Sequence, residues 1–419
     1  MRVTILTIGS RGDVQPYIAL GLGLQACGHQ VRLASMAPFE KFVSSYGLEF
    51  FSLGSVSQEF TKRYQQEASR QKIAFNGFRG RYRLWKMFGS SLQNLMNSCM
   101  NACQNTEAII YSQLILSGYH IAEKLGVPGY ASHVTPQGKT STFAHPFYTS
   151  NIDNIGIYNW LTHFCEEQYR WRFTSNYINR WRQQTLELPP ISFVGFQPRN
   201  QPQMPVLYCY SPSVVPKPSD WSEWSYVTGY WFLDSPSIWQ PPQDLVDFLE
   251  SGEPPIYIGF SSSNNHTQRT IESAVRALAK TGQRFILLTG KNRLENTDLP
   301  DKVFRVDSVP FDWLFPKVSG VIHHGGAGTM AAALRAGVPS LTIPYGTDQP
   351  FWGKRAAKLG VGLPPISPTK LAVDKLAAAI RTMNTDESMK ARACALKEKI
   401  RSEDGVKKAV EIFHQYLPS

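Results

Sequence analysis

Apolar residues in the first fifty positions come in short runs separated by amphipathic stretches. Val3–Ile8 reads as a buried strand, Pro16–Cys27 as a helix with Gly28 just past its end, and Val31–Ala34 as a second strand. Pro38–Tyr46 reads as a short helix closed by Gly47, and Leu48–Leu53 as a third strand. This β-loop-α-β rhythm predicts a parallel sheet with crossover helices. Long helices are expected at Tyr82–Gln104 and Ile157–Leu186, with strands at Ala108–Tyr111 and Val127–Tyr130 between them. Pro189-Pro190 stops the second of these helices.

Between Pro198 and Pro242 prolines become dense, and Trp221, Trp224, Trp231 and Trp239 cluster, so an interdomain linker is expected over 217–238. The rhythm then restarts with strand Ile256–Phe260, helix Thr267–Lys280 and strands Phe285–Thr289 and Val303–Val306. Strand Gly320–His323, helix Thr329–Ala336 ended by Gly337, and strand Ser340–Pro344 follow. The fold class expected is α/β, with two Rossmann-like domains facing each other across a cleft. They span 1–216 and 239–402, and a closing helix within 403–419 turns back onto the first. Ligands of open α/β sheets bind beyond the carboxyl ends of the strands.

Composition narrows the class. A chain of 419 residues is too long for one ordinary core and suits two α/β domains. The six cysteines are scattered; Cys99 and Cys103 stand at a spacing that suits a buried helix face better than a bridge. No cysteine or histidine pair stands at zinc spacing, so no metal is expected, and reduced thiols point to a cytoplasmic protein. Val3–Ile8 runs straight into Gly9-Ser10-Arg11-Gly12-Asp13 without a cleavage site, and no run of ~20 apolar residues occurs. The net charge of +11 favours an acidic partner, whether nucleic acid, anionic lipid or a phosphate ligand.

The most specific stretch is Val321-Ile322-His323-His324-Gly325-Gly326-Ala327-Gly328-Thr329. A buried strand ends in two histidines, three glycines follow within five residues, and a helix begins. Glycines let backbone N–H groups approach an anion, and the helix terminus adds a positive dipole end. His323 can donate to a phosphate oxygen, which completes a diphosphate cradle without lysine. At the end of the next strand, Pro344-Tyr345-Gly346-Thr347-Asp348-Gln349-Pro350 supplies an acid and an amide suited to sugar hydroxyls, although Asp348 is also placed to cap a helix. Gly259-Phe260-Ser261-Ser262-Ser263 follows another strand, and its hydroxyls, Ser262 among them, are candidates for further phosphate contacts.

Together these motifs resemble the nucleotide-sugar glycosyltransferases of the UDP-glycosyltransferase superfamily, in the branch holding the sterol glucosyltransferases and the antibiotic-aglycone glycosyltransferases. The resemblance runs from Gly9–Pro16 through Val227-Thr228-Gly229-Tyr230-Trp231 to Val309–Gly353. It implies a GT-B fold, inversion at the anomeric carbon, and His323 with Gly325, Gly326, Ala327, Gly328 and Thr329 on the diphosphate. It further implies Asp348 and Gln349 on the sugar and the Ser308–Val309 backbone near the base. Plant members carry a tryptophan stacked on uracil and a glutamate on the ribose. Arg305–Val309 holds no tryptophan here and Ala331 stands where the glutamate would be, so UDP-glucose is the expected donor while a thymidine-diphosphate sugar stays open.

Transfer to an alcohol needs a base, and the resemblance assigns that role to Asp13, in the loop after the first strand; capping the helix that begins near Pro16 is its other reading. Arg11 and His133 are weaker candidates for lining the acceptor. Lys62–Lys86 holds eight basic residues against the single acid Glu67, with Phe75, Phe78, Tyr82 and Trp85 interleaved. The segment Lys62–Phe88 reads either as a membrane-surface patch or as an ordinary helix with its aromatics inward. No nucleic-acid module accompanies it. The expected partners are a nucleotide sugar, acting as co-substrate with no cofactor, and a lipophilic acceptor such as a sterol or secondary metabolite. The first βα loop argues against a dehydrogenase, because it lacks Gly-x-Gly-x-x-Gly and puts Asp13 where a pyrophosphate would be repelled. A silent sugar-nucleotide-binding protein is the remaining alternative, and Asp13 with Asp348-Gln349 argues against it.

Overall fold

The computed structural model describes residues 1–55, 91–148, 155–192, 204–235, 239–260, 265–288 and 301–417. It divides into two units, Met1–Leu233 with Glu403–Ser419, and Asp234–Ser402. The expected segment Lys62–Phe88 and Ser262 lie outside the described residues.

The first unit is built on a parallel sheet of seven strands in the order β3-β2-β1-β4-β5-β6-β7. The strands are β1 (Arg2–Leu6), β2 (Gln30–Ser35), β3 (Glu49–Ser52), β4 (Ala108–Ser112), β5 (Gly129–His133), β6 (Val206–Tyr208) and β7 (Ser225–Val227). Alternation along β1 puts Val3 and Ile5 in one core and Leu6 in the other. The first core is closed by helix α1 (Arg11–Ala26), through Val14 and Ile18, and by the last helix, Gly405–Gln415, through Ala409 and Phe413. The other face takes the helix at 91–102 and the long helix α2 (Gly156–Gln184). Cys99 and Cys103 lie fully buried there, and burial pushes the Cys99 thiol up to about 12.

Two differences from the sequence reading have physical causes. Ser225–Val227, read as linker, pairs with β6 as the edge strand of the first sheet. Its short length and neighbouring prolines hid the strand pattern. Helix α1 begins at Arg11 and carries Pro16 inside it, five residues earlier than the proline implied. The capping of its first turn by Ser10 and Asp13 sets that start.

The last helix is seated by a close crossing. Gly229 has φ +105°, and a Cβ there would fall 3.1 Å from the Gly405 Cα. A Cβ at Gly405 would in turn lie 2.6 Å from the Gly229 carbonyl carbon, so neither position accepts a side chain without a shift.

The second unit repeats the scheme with β8 (Ile256–Gly259), β9 (Phe285–Leu288), β10 (Val303–Val306), β11 (Gly320–His323), β12 (Ser340–Thr342) and β13 (Gly362–Leu363). Its sheet is parallel, in the order β10-β9-β8-β11-β12-β13. Ile256, Ile258 and Ile322 face a helical layer at Asn265–Thr281 and Val373–Thr385, while Tyr257 and Val321 face Leu314, Phe315 and Ala333. Helix α3 (Ala327–Ala336) follows β11, and helix α4 (Gln349–Lys358) follows β12.

Candidate functional site

Strand order locates a site in each unit. In the first sheet the chain moves outward from β1 to β3 and then crosses to β4 on the other side of β1. In the second it moves from β8 to β10 and crosses to β11. Loops that diverge at such a switch point leave a crevice at the carboxyl edge of the sheet. The passage from β1 into α1 carries Asp13, and the passage from β11 into α3 carries His323–Thr329.

Asp13 stands in the first turn of α1, three residues after the N-cap Ser10, rather than in an open loop. Its Oδ2 accepts from the Ser10 N–H at 2.7 Å and from the Ser10 hydroxyl at 2.8 Å. The backbone is tied in turn, since the Thr7 hydroxyl donates to the Asp13 carbonyl at 2.7 Å. Among the described residues no hydrogen bond reaches Oδ1. Burial raises the carboxyl above its ordinary pKa, against the lowering effect of the two Ser10 bonds. One oxygen therefore holds the helix end, and the other is left as a basic atom. Gly9 makes room for this: its φ is +130°, and a Cβ there would fall 2.5 Å from Oδ2 and 2.7 Å from the carboxyl carbon.

The two weaker candidates are engaged otherwise. Arg11 is exposed, bonds Gln15 at 3.2 Å and lies over the Phe42 ring at 4.5 Å. His133 ends β5 stacked on Tyr208, its buried Nδ1 has no partner among the described residues, and its pKa is held down to about 3 by burial and then by Arg170.

In the second unit α3 starts at Ala327, two residues before the sequence pattern implied. Gly328 and Thr329 thus belong to its first turn, whose N–H groups have no intrahelical partner. The N-cap is Gly326, which offers no capping side chain, and the first turn holds no acid. His323 closes β11 fully buried. Its Nδ1 accepts from the Gly325 N–H at 3.1 Å, which makes Nε2 the protonated nitrogen, and Nε2 has no partner among the described residues. Burial, with His324 beside it, holds the His323 pKa down to about 3, so the ring is neutral. His324 was not assigned a role from sequence; its ring lies over Gly326, where a Cβ would collide with it.

The structure brings this loop against the second motif. Gly325 has φ +92°, and a Cβ there would strike the Thr342 methyl and fall 2.8 Å from the Gln349 carbonyl oxygen. Gln349 Oε1 accepts from the Tyr345 N–H at 2.7 Å and the Gly346 N–H at 3.3 Å, so among the described residues its amide N–H pair is the free end. Asp348 is the N-cap of α4, yet its side chain makes no capping bond to the helix backbone. Its Oδ2 accepts instead from the Trp352 indole at 2.9 Å, and its Oδ1 from the Thr347 hydroxyl at 3.0 Å. Thr347 holds φ +55°, a strained setting for a β-branched residue and one typical of functional loops. Trp352 and Thr347 escaped the sequence reading, although the four-residue spacing of Asp348 and Trp352 on a helix was a usable signal. Val309 follows edge strand β10 and buries its side chain near Leu314 and Ala333, which leaves only its backbone for a ligand.

Among the described residues no group of three metal-binding side chains occurs and no helix is long and apolar enough to cross a membrane.

Comparison with known proteins places both units. Residues 3–144 match the glycosyltransferase family 28 N-terminal domain, and residues 274–414 the erythromycin biosynthesis protein CIII-like C-terminal domain. The chain is 36% identical to a sterol 3-beta-glucosyltransferase of Arabidopsis thaliana, over 100% of this chain and 68% of the relative. It is 37% identical to a sterol 3-beta-glucosyltransferase of Cryptococcus neoformans var. neoformans serotype D, again over its whole length, but spans only 27% of that protein. The crystal structure of the kitacinnamycin glycotransferase shares the fold, with a TM-score of 0.75 at 18% identity over 100% of this chain and 99% of that one.

Proposed function

The chain belongs to the GT-B glycosyltransferase family that holds the sterol 3-beta-glucosyltransferases, and from that premise we propose that it transfers glucose from UDP-glucose to the hydroxyl of a lipophilic acceptor, a sterol foremost. The observation that carries the reading is that each unit has its own differently equipped switch-point turn, one with a desolvated carboxylate and one with an open helix terminus. Asp13 Oδ1 takes the acceptor proton as the acceptor oxygen forms its bond to the anomeric carbon. The bond from that carbon to the β-phosphate oxygen breaks, and its electron pair leaves with the nucleoside diphosphate. A single displacement of this kind inverts the anomeric centre.

The developing charge falls to the first-turn N–H groups of α3 and to the neutral His323 Nε2–H. The free amide of Gln349 and the carboxylate of Asp348 take the sugar hydroxyls. Similarity to the plant and fungal sterol glucosyltransferases supports the acceptor class.

The test is a thermal-shift screen of uridine- and thymidine-diphosphate sugars, followed by mass spectrometry of sterol mixtures incubated with the donor that binds. A glucosylated sterol of inverted anomeric configuration is expected. Donor binding with no transfer to any alcohol and no slow donor hydrolysis would favour the silent binding protein instead.

A further inference from the structure

The first three turns of α2 are turned inside out. Asn159, Thr162, His163 and Glu166 are buried, while Ile157, Trp160, Leu161 and Phe164 are exposed, Ile157 at 73%. Together with Ile155, these make five of the eight exposed large hydrophobics among the described residues, all within ten positions. The orientation is fixed by the polar face. Asn159 Nδ2 donates to the Ser141 carbonyl at 2.9 Å, Thr162 Oγ1 accepts from the His145 N–H at 2.8 Å, and the His163 ring lies 3.0 Å from the Phe143 carbonyl. Rolling the helix to bury its apolar side would strand those backbone groups without partners.

We infer that this face is a membrane-docking surface that inserts into the headgroup boundary of an anionic bilayer. Its composition suits that layer: aliphatic Ile157 and Leu161 beside Trp160 and Phe164, whose rings stack at 5.4 Å on the surface. The face runs about 10 Å along the helix. Exposed Arg172 lies on the same stripe two turns on, and Glu167 is paired to Lys139 at 2.6 Å. The chain's charge of +11 complements an anionic surface. The purpose of such a surface rests on the lipophilic-acceptor reading, since a sterol must be drawn from a bilayer, whereas the docking itself does not depend on transfer.

The experiment is flotation of the full chain with vesicles of phosphatidylcholine alone and with phosphatidylserine added, at low salt. The wild type is compared with a combined Ile157→Ser, Trp160→Ser, Leu161→Ser, Phe164→Ser variant and with Ile157→Glu alone, whose exposure spares the fold. The wild type floats with the anionic vesicles, the combined variant binds them at least about tenfold more weakly, and Ile157→Glu falls between. Transfer to a sterol delivered from cyclodextrin stays unchanged in both variants. Wild-type protein that does not float, or variants that float equally well, would overturn the inference. Loss of cyclodextrin-delivered transfer in a folded variant would overturn it in favour of direct acceptor binding, and a dimer that the variants dissociate would overturn it in favour of self-association. Flotation that responds to the variants in a protein with no transferase activity would leave docking standing while the proposed reaction fell.

Discussion

The loops after β1 and after β11 use the same backbone device with opposite electrical outcomes. Each is a glycine-built turn from a central strand into a helix, at the switch point of its own sheet. After β1, the positive end of α1 is occupied by the protein's own carboxylate, held through Ser10. After β11, the end of α3 has neither a capping side chain nor an acid in its first turn. One helix end carries the protein's own carboxylate, and the other is left without one. Glycine placement follows this division: Gly9 makes room for the Asp13 carboxylate, and Gly325 lets the loop close against Thr342 and Gln349.

The sharpest way to break the comparison is to give α3 what α1 has. Thr329→Asp places an acid in the same first-turn position. It is expected to steady the helix by about 0.5 kcal/mol while donor affinity falls roughly a hundredfold by like-charge repulsion. Calorimetry with UDP-glucose and a thermal melt check both. Next in size, Gly9→Ala pushes the Asp13 carboxylate aside. Turnover is expected to fall about thirtyfold from that misplacement, with donor affinity unchanged in steady-state and binding measurements.

Gln349→Glu keeps an oxygen for the Tyr345 and Gly346 N–H groups but removes the free amide donor. The melting temperature should hold while the donor KM rises about tenfold, the worth of one or two hydrogen bonds. The smallest and broadest effect is on stability. His120 and His323 are buried with pKa values near 3, below the ~6.5 of an unfolded chain. The unfolded state therefore binds more protons between those values, so the unfolding midpoint should fall as pH drops from about 6.5 toward 4. A midpoint that is flat over that range would contradict the buried neutral assignment.

The sequence exposed the helix-bound chemistry better than its geometry. Hydrophobic rhythm revealed β1, β2, β4, β8, β9 and β11, because buried parallel strands are continuous apolar runs. Val206–Tyr208 and Ser225–Val227 were missed, since three-residue strands among prolines carry no period. The glycine-histidine loop was legible because its backbone requirements restrict residue type. The arrangement at Asp13 was not, although Ser10 three residues before it has capping-box spacing. Sequence poses capping and base as alternatives, whereas the structure puts both Ser10 bonds on one carboxylate oxygen and so leaves the second reading open beside the first. The inverted polarity of α2 was also hidden: Ile157, Trp160, Leu161 and Phe164 have the spacing of a core stripe, and only burial shows that this side faces out.

The central claim is that Asp13 is the base and the α3 terminus is the donor site. Asp13→Asn keeps an oxygen for the Ser10 bonds and removes only the proton acceptor. Donor binding by calorimetry and sterol glucosylation by mass spectrometry, measured on the same preparation, test it directly. The account predicts unchanged UDP-glucose affinity with turnover reduced by roughly 10² to 10⁴. Full turnover by the asparagine variant would contradict it.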